Sequence, residues 1–587
     1  MMLRNEYPRP QFERDEWICL NGEWEYQFDF SRSGEEQNWK NAGAFEGKIN
    51  VPFCPESKLS GVGFTDFIEM MWYRRTLEIP AGWNGKKILL HFGGVDYRCV
   101  IYLDGQEAGR HTGGSAAFTI DLTKFVHPGK IHNLVVCVED DVRSGLQPGG
   151  KQSTKRGSHA CSYTRTTGIW RTVWMEAVDP FALKNCRIIP DYDNGAFTFL
   201  PEYYAVRRGL KLTTSILDHG KEVCSQTLNA GPGAFTLTLD QPKEWNPETP
   251  FLYDIVFTLR DENGTVLDTV KSYAGLRKIH LENGRCYLNN QPVFLRFVLD
   301  QGFYEDGIWT APSDEALKHD IELAMQTGFN GARLHQKCFD DRFHYWADKL
   351  GYLTWAEFPD WGMSFWQHFG PCAPDYQRSF RDYLAEWSEV VGQLADHPSI
   401  IAWTPFNETC SYHDAEEHRR IIADVYELTR RLDPTRPVND TSGYCHVKTD
   451  LWTVHHYAQS AAELNEAINR QPVYMQEPEF EKPAWNGQPY IVDEYGGVSF
   501  LPEGRKPFSK ISWGYNRDQL TRTEAEQRIT ELTGTLTNDP RVAGYCYTQL
   551  TDIEQEQNGI YNYDRTPKFD AEAIRSCFGM KPDWSRF

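Results

Sequence analysis

Short apolar segments alternate with amphipathic ones from residue 277 onward, and this alternation restricts the fold more than any other feature of the chain. Eight apolar segments are candidate β-strands: 293–299, 329–335, 352–358, 399–408, 437–442, 451–457, 489–496 and 541–550. Helical patterns lie between several of them: 314–327, 376–396 and 413–432. Ser313 is the predicted N-cap of the first helix, and Gly328 ends it. Eight β/α alternations predict a TIM (β/α)8 barrel over residues 277–587.

Residues before 277 have a different pattern, in which short alternating strands are broken by Gly, Pro and Asp-Gly turns. Within residues 1–178, the segment 99–103 alternates and closes on the turn Asp104-Gly105. This pattern predicts a β-sandwich. Residues 179–276 carry similar strands, and their number suits a second, immunoglobulin-like sandwich. The predicted fold class of the whole chain is therefore multidomain, β plus α/β.

Composition excludes several classes of function. The formal net charge of −21 argues against nucleic acid and anionic membrane as partners. The sequence shows no apolar run long enough for a membrane span and no secretory pattern in its first residues. The 14 cysteines have no CxxC pair or framework spacing, which is typical of reduced thiols. We therefore expect a cytoplasmic protein.

Two of the predicted barrel strands end at or near a glutamate. The segment 400–408 ends at Glu408, and the segment 490–496 carries Glu494 near its end. Buried barrel strands bring such side chains to the rim where TIM barrels carry out their chemistry. Two carboxylates suffice to hydrolyse a glycosidic bond, because one protonates the leaving oxygen and the other attacks or activates water. Ordinary strand-end acids in salt bridges are the alternative.

Motifs spread over the chain support the first interpretation. In chain order they are Asn21-Gly22-Glu23-Trp24, Val51-Pro52-Phe53, Trp72-Tyr73-Arg74-Arg75, Gly168-Ile169-Trp170-Arg171, Trp245-Asn246-Pro247-Glu248-Thr249-Pro250, Phe329-Asn330-Gly331-Ala332-Arg333, Phe406-Asn407-Glu408 and Asp493-Glu494-Tyr495-Gly496-Gly497. This ordered set resembles glycoside hydrolase family 2, which contains β-galactosidases, β-glucuronidases and β-mannosidases. The resemblance implies a jelly-roll sugar-binding-like domain (1–178), an immunoglobulin-like domain (179–276) and a catalytic TIM barrel (277–587).

The resemblance also implies roles for single residues. Glu408 would be the general acid/base and Glu494 the nucleophile of a retaining mechanism. Asn407 would hydrogen-bond the sugar 2-hydroxyl. Arg333 would hold Glu494 ionised, and Tyr457 would donate a hydrogen bond to it. For Arg333 and Tyr457, a structural role at a strand end is the alternative.

The chain departs from the family at positions that select the sugar. Family β-glucuronidases carry an Asn-x-Lys motif before a Gly-Ile-aromatic segment, whereas here Glu556-Gln557-Asn558 precedes Gly559-Ile560-Tyr561. The lysine is missing, which argues against an ordinary glucuronidase. The magnesium ligands of family galactosidases are not recognisable in 357–362, so we expect no metal and no cofactor. The tryptophan that many members have after strand eight is replaced within 547–552.

Several other residues are predicted to bind the sugar: Asp300, His335, Arg165, Trp361 and Gln549. Arg165, Lys337 and Arg296 would place cations near the pocket, as a hexuronate requires, although each could equally be a salt-bridged charge. The segment 361–369 is rich in aromatic rings and would form a wall of the pocket or pack on the first sandwich. His455 and His456 are expected to be hydrogen-bond donors rather than acid/base groups.

The expected function is that of a retaining exo-β-glycosidase that hydrolyses terminal β-D-hexosides. A β-galacturonide is the favoured substrate, with β-galactosidase and then β-glucuronidase activity as alternatives. A transglycosidase and an inactive carbohydrate-binding homologue stay open, because the fold alone does not establish turnover. The expected partner is a small carbohydrate or glycoside, with no nucleic acid and no membrane; a homo-oligomer is neither required nor excluded.

Overall fold

The computed structural model describes residues 4–363, 376–409, 415–443, 445–469 and 485–582. Most of the predicted aromatic wall, from residue 364 to residue 369, lies outside these ranges. Within them, no helix combines the length and the apolar character needed to span a membrane. The cysteines of these ranges are free thiols, in agreement with the prediction.

The first region is a β-sandwich. Its strands are β1 (Trp17–Cys19), β2 (Gly22–Phe28), β3 (Gly47–Val51), β4 (Met70–Glu78), β5 (Lys87–Phe92), β6 (Val95–Asp96), β7 (Arg98–Leu103), β8 (Gln106–Thr112), β9 (Phe118–Asp121), β10 (Ile131–Glu139), β11 (Gly168–Ile169) and β12 (Val173–Val178), with 3₁₀ turns at Trp39–Asn41 and Ala81–Trp83. A six-stranded sheet, β3-β2-β4-β10-β7-β8, and a four-stranded sheet, β1-β12-β5-β9, enclose the core, and β6 pairs with β11. In β10, Leu134, Val136 and Val138 face this core, whereas Val135 and Cys137 are buried on the opposite face of the sheet, because successive side chains of a strand point to opposite faces.

A second, smaller sandwich follows. Its strands are β13 (Leu183–Asp191), β14 (Ala196–Tyr203), β15 (Lys211–Asp218), β16 (Lys221–Asn229), β17 (Phe235–Thr238), β18 (Tyr253–Arg260) and β19 (Val266–Ala274). The sheets β13-β14-β17 and β16-β15-β18-β19 share a core to which β18 contributes Tyr253, Ile255, Phe257 and Leu259. A three-stranded sheet leads on to the barrel: β20 (Ile279–Glu282), β21 (Arg285–Leu288) and β22 (Gln291–Val293).

The third region is a curled parallel sheet surrounded by helices. Its strands are β23 (Leu295–Asp300), β24 (Gly331–Leu334), β25 (Leu353–Glu357), β26 (Ile400–Thr404), β27 (Phe406–Asn407), β28 (Thr441–Ser442), β29 (Trp452–His456), β30 (Tyr490–Gly496) and β31 (Val542–Thr548). Its helices are α1 (Asp314–Thr327), α2 (Asp341–Leu350), α3 (Tyr376–Leu394), α4 (Ala415–Leu432), α5 (Ala461–Asn469), α6 (Arg522–Thr537) and α7 (Ala571–Phe578). Seven strands pair in the order β26-β25-β24-β23-β31-β30-β29, and β27 pairs with β28.

Each of the eight predicted strand segments contains a strand, and the predicted fold class is confirmed. The fourth segment is divided into β26 and β27 at Pro405, because proline has no N–H for a ladder. The fifth segment forms only the two-residue strand β28, together with one bridge between Trp403 and Val438. The carboxyl ends of all these parallel strands meet at one rim, where the candidate site lies.

Candidate active site

Glu494 lies buried in β30, and a different donor serves each of its carboxylate oxygens. Arg333 Nη1 donates to Oε1 over 2.8 Å, and the Tyr457 hydroxyl donates to Oε2 over 2.5 Å. Burial raises the pKa of Glu494, but the positive charges of His455 and Arg333 outweigh burial and hold this pKa below its usual value. Glu494 is therefore ionised at neutral pH, as a carboxylate nucleophile must be.

The fully buried guanidinium of Arg333, in β24, holds three neighbouring side chains. Its Nε donates to Glu357 Oε2 over 2.6 Å and its Nη2 to Asn407 Oδ1 over 2.7 Å, besides the bond to Glu494. Burial lowers the pKa of Arg333, but the charges of Glu357, Glu494 and Asp493 outweigh burial and raise this pKa well above its usual value. The planar, permanently charged guanidinium thus fixes side chains from β25, β27 and β30 in one geometry.

Glu408 directly follows β27 and has a positive φ of 51°, a conformation that a residue with a Cβ seldom adopts. Its backbone N–H donates to the Ser442 carbonyl over 2.8 Å, and its Oε1 accepts from His455 Nδ1 over 2.8 Å. Burial raises the pKa of Glu408, but the hydrogen bond and charge of His455, with the charges of Lys151 and Arg333, hold this pKa below its usual value. The carboxyl group of Glu408 is therefore ionised at neutral pH.

His455 bonds with both ring nitrogens. The Ser442 hydroxyl donates to Asp493 Oδ2 over 2.6 Å, so it can only accept from His455 Nε2, 2.9 Å away. Nδ1 faces the Glu408 carboxylate, and both nitrogens therefore carry hydrogen, as in an imidazolium. Burial lowers the pKa of His455, but the charges of Glu494, Asp493 and Glu408 and the hydrogen bond to Glu408 raise it to about 9.

The two glutamates are close together. Oxygen atoms of Glu408 and Glu494 and a ring nitrogen of His455 all lie within 4.8 Å of one another. This spacing suits the roughly 5–5.5 Å that separates the carboxyl groups of retaining glycosidases, rather than the roughly 6.5–9.5 Å of inverting ones. It is also the one group in the described ranges with the spacing of metal ligands. A cation there would meet the N–H of His455 and the guanidinium of Arg333, which oppose it.

Asn407 presents an unpaired donor next to Glu408. Its Oδ1 accepts from Arg333, and its backbone N–H donates to Asp360 Oδ1 over 3.1 Å. Its Nδ2 is buried and has no hydrogen-bond partner among the described residues. Trp361 Nε1 donates to the Asn407 carbonyl over 3.0 Å, which places the indole beside the glutamates. Because buried polar groups are normally paired, the free amide nitrogen is available to a ligand hydroxyl.

His335 also adjoins this group. Its Nδ1 lies 3.1 Å from Arg333 Nη2 and 2.9 Å from Glu357 Oε1. Burial, with the charges of Lys151 and Arg333, lowers the pKa of His335 well below its usual value. This histidine is therefore neutral at neutral pH, in contrast to His455.

A ring of hydrogen bonds lies next to the site and includes the predicted residue Gln549, whose neighbour Thr548 contacts Tyr457. Gln549 Nε2 donates to Asn558 Oδ1 over 2.8 Å, and Asn558 Nδ2 donates to Glu556 Oε1 over 3.1 Å. The Tyr163 hydroxyl donates to Glu556 Oε2 over 2.6 Å and accepts from Gln301 Nε2 over 3.0 Å. Gln301 Nε2 also donates to Gln549 Oε1 over 2.5 Å and closes the ring. Tyr163 comes from the first sandwich, so residues of two regions form this ring of hydrogen bonds.

The structure corrects the prediction that Arg165 binds substrate. Its guanidinium donates to the carbonyls of Ser153 over 2.9 Å, Lys155 over 2.5 Å and Thr65, and it lies over the Phe67 ring. Arg165 is 2 % exposed, and these contacts occupy it within the first sandwich.

Lys337 and Arg296 also bind groups other than the glutamates, and Asp300 binds a nearby backbone N–H. Lys337 Nζ donates to the carbonyls of Gly302 and Trp309, and Arg296 donates to the Gly328 carbonyl at the opposite end of the barrel. Asp300 accepts from the N–H of Gly302, two residues further along, over 2.9 Å. Burial and the charge of Asp320 raise the pKa of Asp300 to about 6. The predicted cationic cluster of Arg165, Lys337 and Arg296 is therefore not formed.

Sequence reasoning missed Lys151, which the loop between β10 and β11 brings to the site. Its ammonium lies 4.1 Å from the centre of the Trp361 ring, and its charge acts on Glu494 and Glu408. The sequence carries one signal for it, the glycine pair Gly149-Gly150 immediately before it, which permits a close approach of two backbones.

The chain matches the profiles of three consecutive domains of one family. Residues 279–580 match the TIM barrel domain of glycosyl hydrolases family 2. The chain belongs to glycosyl hydrolases family 2. Residues 206–277 match a second profile of this family, and residues 63–176 match its sugar-binding domain. The protein is thus a glycoside hydrolase.

Curated relatives within the family carry both names. The beta-glucuronidase of Paenibacillus borealis is 23% identical over 95% of this chain and 96% of its own length. The beta-galactosidase of Thermoanaerobacter pseudethanolicus is 24% identical over 87% of this chain and 65% of its own length. Among solved structures, the ligand-free β-glucuronidase of Ruminococcus gnavus has a TM-score of 0.80 and 19% identity, covering 98% of this chain and 100% of that one. This likeness concerns the fold.

Proposed function

We propose that this protein is a retaining exo-β-glycosidase that hydrolyses terminal β-D-hexosides by double displacement. The observation that supports this proposal best is the pair of carboxyl groups on Glu408 and Glu494, with oxygens within 4.8 Å. Arg333 and Tyr457 hold Glu494, whereas His455 holds Glu408. The two carboxyl groups therefore have different surroundings, as two different roles require.

Glu494 attacks the anomeric carbon, and the bond to the aglycone breaks as Glu408 protonates the leaving oxygen. A covalent glycosyl-enzyme forms, and Glu408 then takes a proton from the water that releases the sugar. The free Nδ2 of Asn407 donates to a sugar hydroxyl next to the reacting carbon. That contact accelerates the reaction if it strengthens in the transition state.

The proton for the first step resides on the pair formed by His455 and Glu408. Before the reaction this proton lies on the imidazolium, 2.8 Å from Glu408 Oε1. The charge of Glu494 helps to keep it there, because it raises the pKa of His455. As the bond from Glu494 to the anomeric carbon forms and the glycosidic bond breaks, Glu494 loses its charge and this support for the imidazolium weakens. The proton then passes through Glu408 to the leaving oxygen in the same step.

The two roles can be tested with Glu408→Ala and Glu494→Ala on an activated aryl β-glycoside in the presence of azide. Each variant should lose at least about 10²–10⁴-fold in kcat. Azide should rescue Glu494→Ala by attacking the substrate directly, which gives an α-glycosyl azide. It should rescue Glu408→Ala by attacking the glycosyl-enzyme, which gives a β-glycosyl azide. The opposite pair of products would reverse the two assignments.

For the sugar, we propose the β-D-galacturonide. It shares the carboxylate of a glucuronide and the configuration at C4 of a galactoside, and both activities occur among the relatives. β-Galactosidase and then β-glucuronidase activity are the alternatives. Aryl β-galacturonide, β-galactoside and β-glucuronide should be compared by kcat/KM. A galacturonide preference of more than tenfold over both others supports the proposal, and a galactoside preference contradicts the choice of sugar alone.

A further inference from the structure

The loop 147–165 carries residues of the first sandwich onto the rim of the barrel. The N–H of Gly149 donates to the Trp361 carbonyl over 2.7 Å, and the N–H of Gly150 donates to the Pro359 carbonyl over 3.2 Å. Further along the loop, the Tyr163 hydroxyl donates to Glu556 over 2.6 Å. The loop is thus fixed to the barrel on both sides of Lys151.

Lys151 is a buried cation without a fixed anionic partner. Lys151 is only 7 % exposed. Within the described ranges, no carboxylate lies within 4 Å of Nζ and no hydrogen bond from Nζ is formed. Its contact is the face of the Trp361 ring, at 4.1 Å. A buried ammonium in this state is costly unless a ligand anion completes the pair.

Lys151 lies close to the reacting groups, on the other side of the Trp361 ring. The indole below its ammonium donates to the Asn407 carbonyl, so one aromatic ring separates the cation from the Asn407-Glu408 segment. Burial lowers the pKa of Lys151, but the charges of Cys161, Glu556, Glu494 and Glu408 outweigh burial and raise it. The amine is therefore charged at neutral pH.

The other cations of the site are already engaged. Arg333 donates to Glu357, Glu494 and Asn407, and His455 donates to Glu408. Neither can accept a ligand carboxylate without releasing a residue that the reaction uses. Lys151 is the cation of this group that such a ligand can reach without that loss.

We propose that Lys151 is the specificity-determining residue that binds the C6 carboxylate of a β-hexuronide, so that a lysine from the first sandwich selects the sugar cleaved by the barrel. This inference rests on the proposed glycosidase function. A lysine is suited to the task because its ammonium is a compact charge on a flexible stem that can follow the carboxylate. The indole of Trp361 supports the ammonium from the other side.

The test compares Lys151→Met with Lys155→Met, which carries the same substitution at an exposed position of the same loop. Lys151→Met should lower kcat/KM for the preferred aryl hexuronide by about 100-fold, because the substrate carboxylate loses its partner. It should change kcat/KM for the matching neutral hexoside by less than threefold. Lys155→Met should change neither, and Lys151→Arg should restore part of the hexuronide activity.

Equal losses for the hexuronide and the neutral hexoside would overturn the inference, since they would assign Lys151 a general role in catalysis or folding. Thermal midpoints of both methionine variants identify a folding defect. If the wild-type enzyme cleaves neutral hexosides but no hexuronide, the glycosidase proposal stands and this inference fails. If no glycoside is cleaved, the glycosidase proposal fails. The role of Lys151 is then decided by calorimetric titration of wild type and Lys151→Met with galacturonate and with galactose. Equal affinities of the two proteins for galacturonate would overturn that role.

Discussion

At the scale of single residues, His455 connects the two glutamates more directly than any other side chain of the site. It donates to Glu408 over 2.8 Å, and its Nε2 lies 3.5 Å from Glu494 Oε1. The same positive charge lowers the pKa of both glutamates. This helps the nucleophile, but it takes the proton away from the acid. A histidine here is useful only if it also supplies that proton.

This double role predicts an altered pH profile for His455→Asn. In wild type, the proton of the His455–Glu408 pair is lost as pH rises through about 9, so the alkaline limb of kcat/KM should lie near that pH. In the variant, Glu408 must hold the proton alone. Its pKa rises without the imidazolium, yet a carboxyl group loses its proton at a lower pH than this imidazolium does. The alkaline limb should therefore move toward acid by about one pH unit or more.

The neighbouring His456 provides the matched control. Burial and the charge of His455 lower the pKa of His456 to about 4, so it is neutral over the whole range of this experiment. His456→Asn should leave the alkaline limb in place. An unchanged limb in His455→Asn as well would contradict the shared proton, whereas a loss of kcat without a shift would assign His455 a structural role.

Local patterns predicted some of these residues and not others. Glu408 and Glu494 each follow apolar strand residues, so the sequence alone predicts their position at the rim. Lys151 was not, because its place depends on how the loop 147–165 docks onto a strand-end segment more than 200 residues away. Arg165 was misassigned for the same reason: a charged residue in that loop can face the barrel or the sandwich, and its neighbours in sequence do not decide which.

At the scale of elements, the fifth barrel strand shows why one predicted segment is so short. The N–H of Val438 donates to Asp450 Oδ2 over 2.8 Å, and the N–H of Asp440 donates to Thr449 Oγ1 over 3.3 Å. Backbone groups that would continue a ladder are bound to side chains instead. Between β28 and β29, the contact from Gly443 N–H to Thr453 Oγ1, at 3.3 Å, takes the place of a strand pair.

The helices were easier to predict, because their signals are local. Ser313 accepts from the N–H of Ala316 and begins α1, and Gly328 ends it with a φ of 105°. Both had been predicted from residue type alone. The bounds of α3 follow the predicted amphipathic segment within two residues, because Pro398 lies just beyond its end.

The glycine that ends α2 carries a prediction about stability. Gly351 has a φ of 75°, and an added Cβ would lie 2.6 Å from the Pro247 carbonyl oxygen of the second sandwich region. Gly351→Ala should therefore lower the free energy of unfolding by at least about 1–2 kcal/mol, the cost of a left-handed alanine alone. Thermal unfolding followed by circular dichroism should show a lower midpoint.

Gly392→Ala, inside α3, is the matched substitution, and we expect it to have the opposite effect on the free energy of unfolding. An added Cβ there meets no atom within 4 Å, and its backbone is helical. Gly392→Ala should raise the free energy of unfolding by about 0.5–1 kcal/mol, since alanine loses less backbone entropy in a helix than glycine. Equal midpoints for the two variants would contradict the role assigned to the Gly351 backbone.

At the scale of the whole molecule, the sandwiches contact the barrel through fixed polar bonds. In the second sandwich region, Trp245 Nε1 donates to the Asp348 carbonyl over 2.7 Å. In the first, the N–H of Ser115 donates to Glu386 Oε1 over 2.7 Å. The order of the three regions was predicted from strand patterns and the family resemblance, and the exact boundaries at 178 and 276 stay a prediction. The prediction that Arg165 binds the sugar also placed a loop of the first sandwich at the site, and the loop reaches the rim through Lys151 and Tyr163 instead.

That contact carries the last prediction, in which a mutation outside the barrel reduces catalysis. Gly150 has a φ of 55°, and an added Cβ would clash with the Gln336 carbonyl oxygen and lie 2.9 Å from Pro359 Cβ. Gly150→Ala must push the loop off the rim and carry Lys151 and Tyr163 with it. The kcat/KM for the preferred substrate should fall by at least about tenfold, because misplacement of positioning groups by about 1 Å costs up to about 100-fold.

Gly157→Ala controls for the substitution itself. It lies in the same loop, is exposed, and an added Cβ meets no atom within 4 Å, so its kinetics should match wild type. The two variants should have circular dichroism spectra like that of wild type, because the clash concerns the docking of a loop and not a core. If Gly150→Ala kept full activity, the loop would not position the site, and selection of the sugar would belong to the barrel alone.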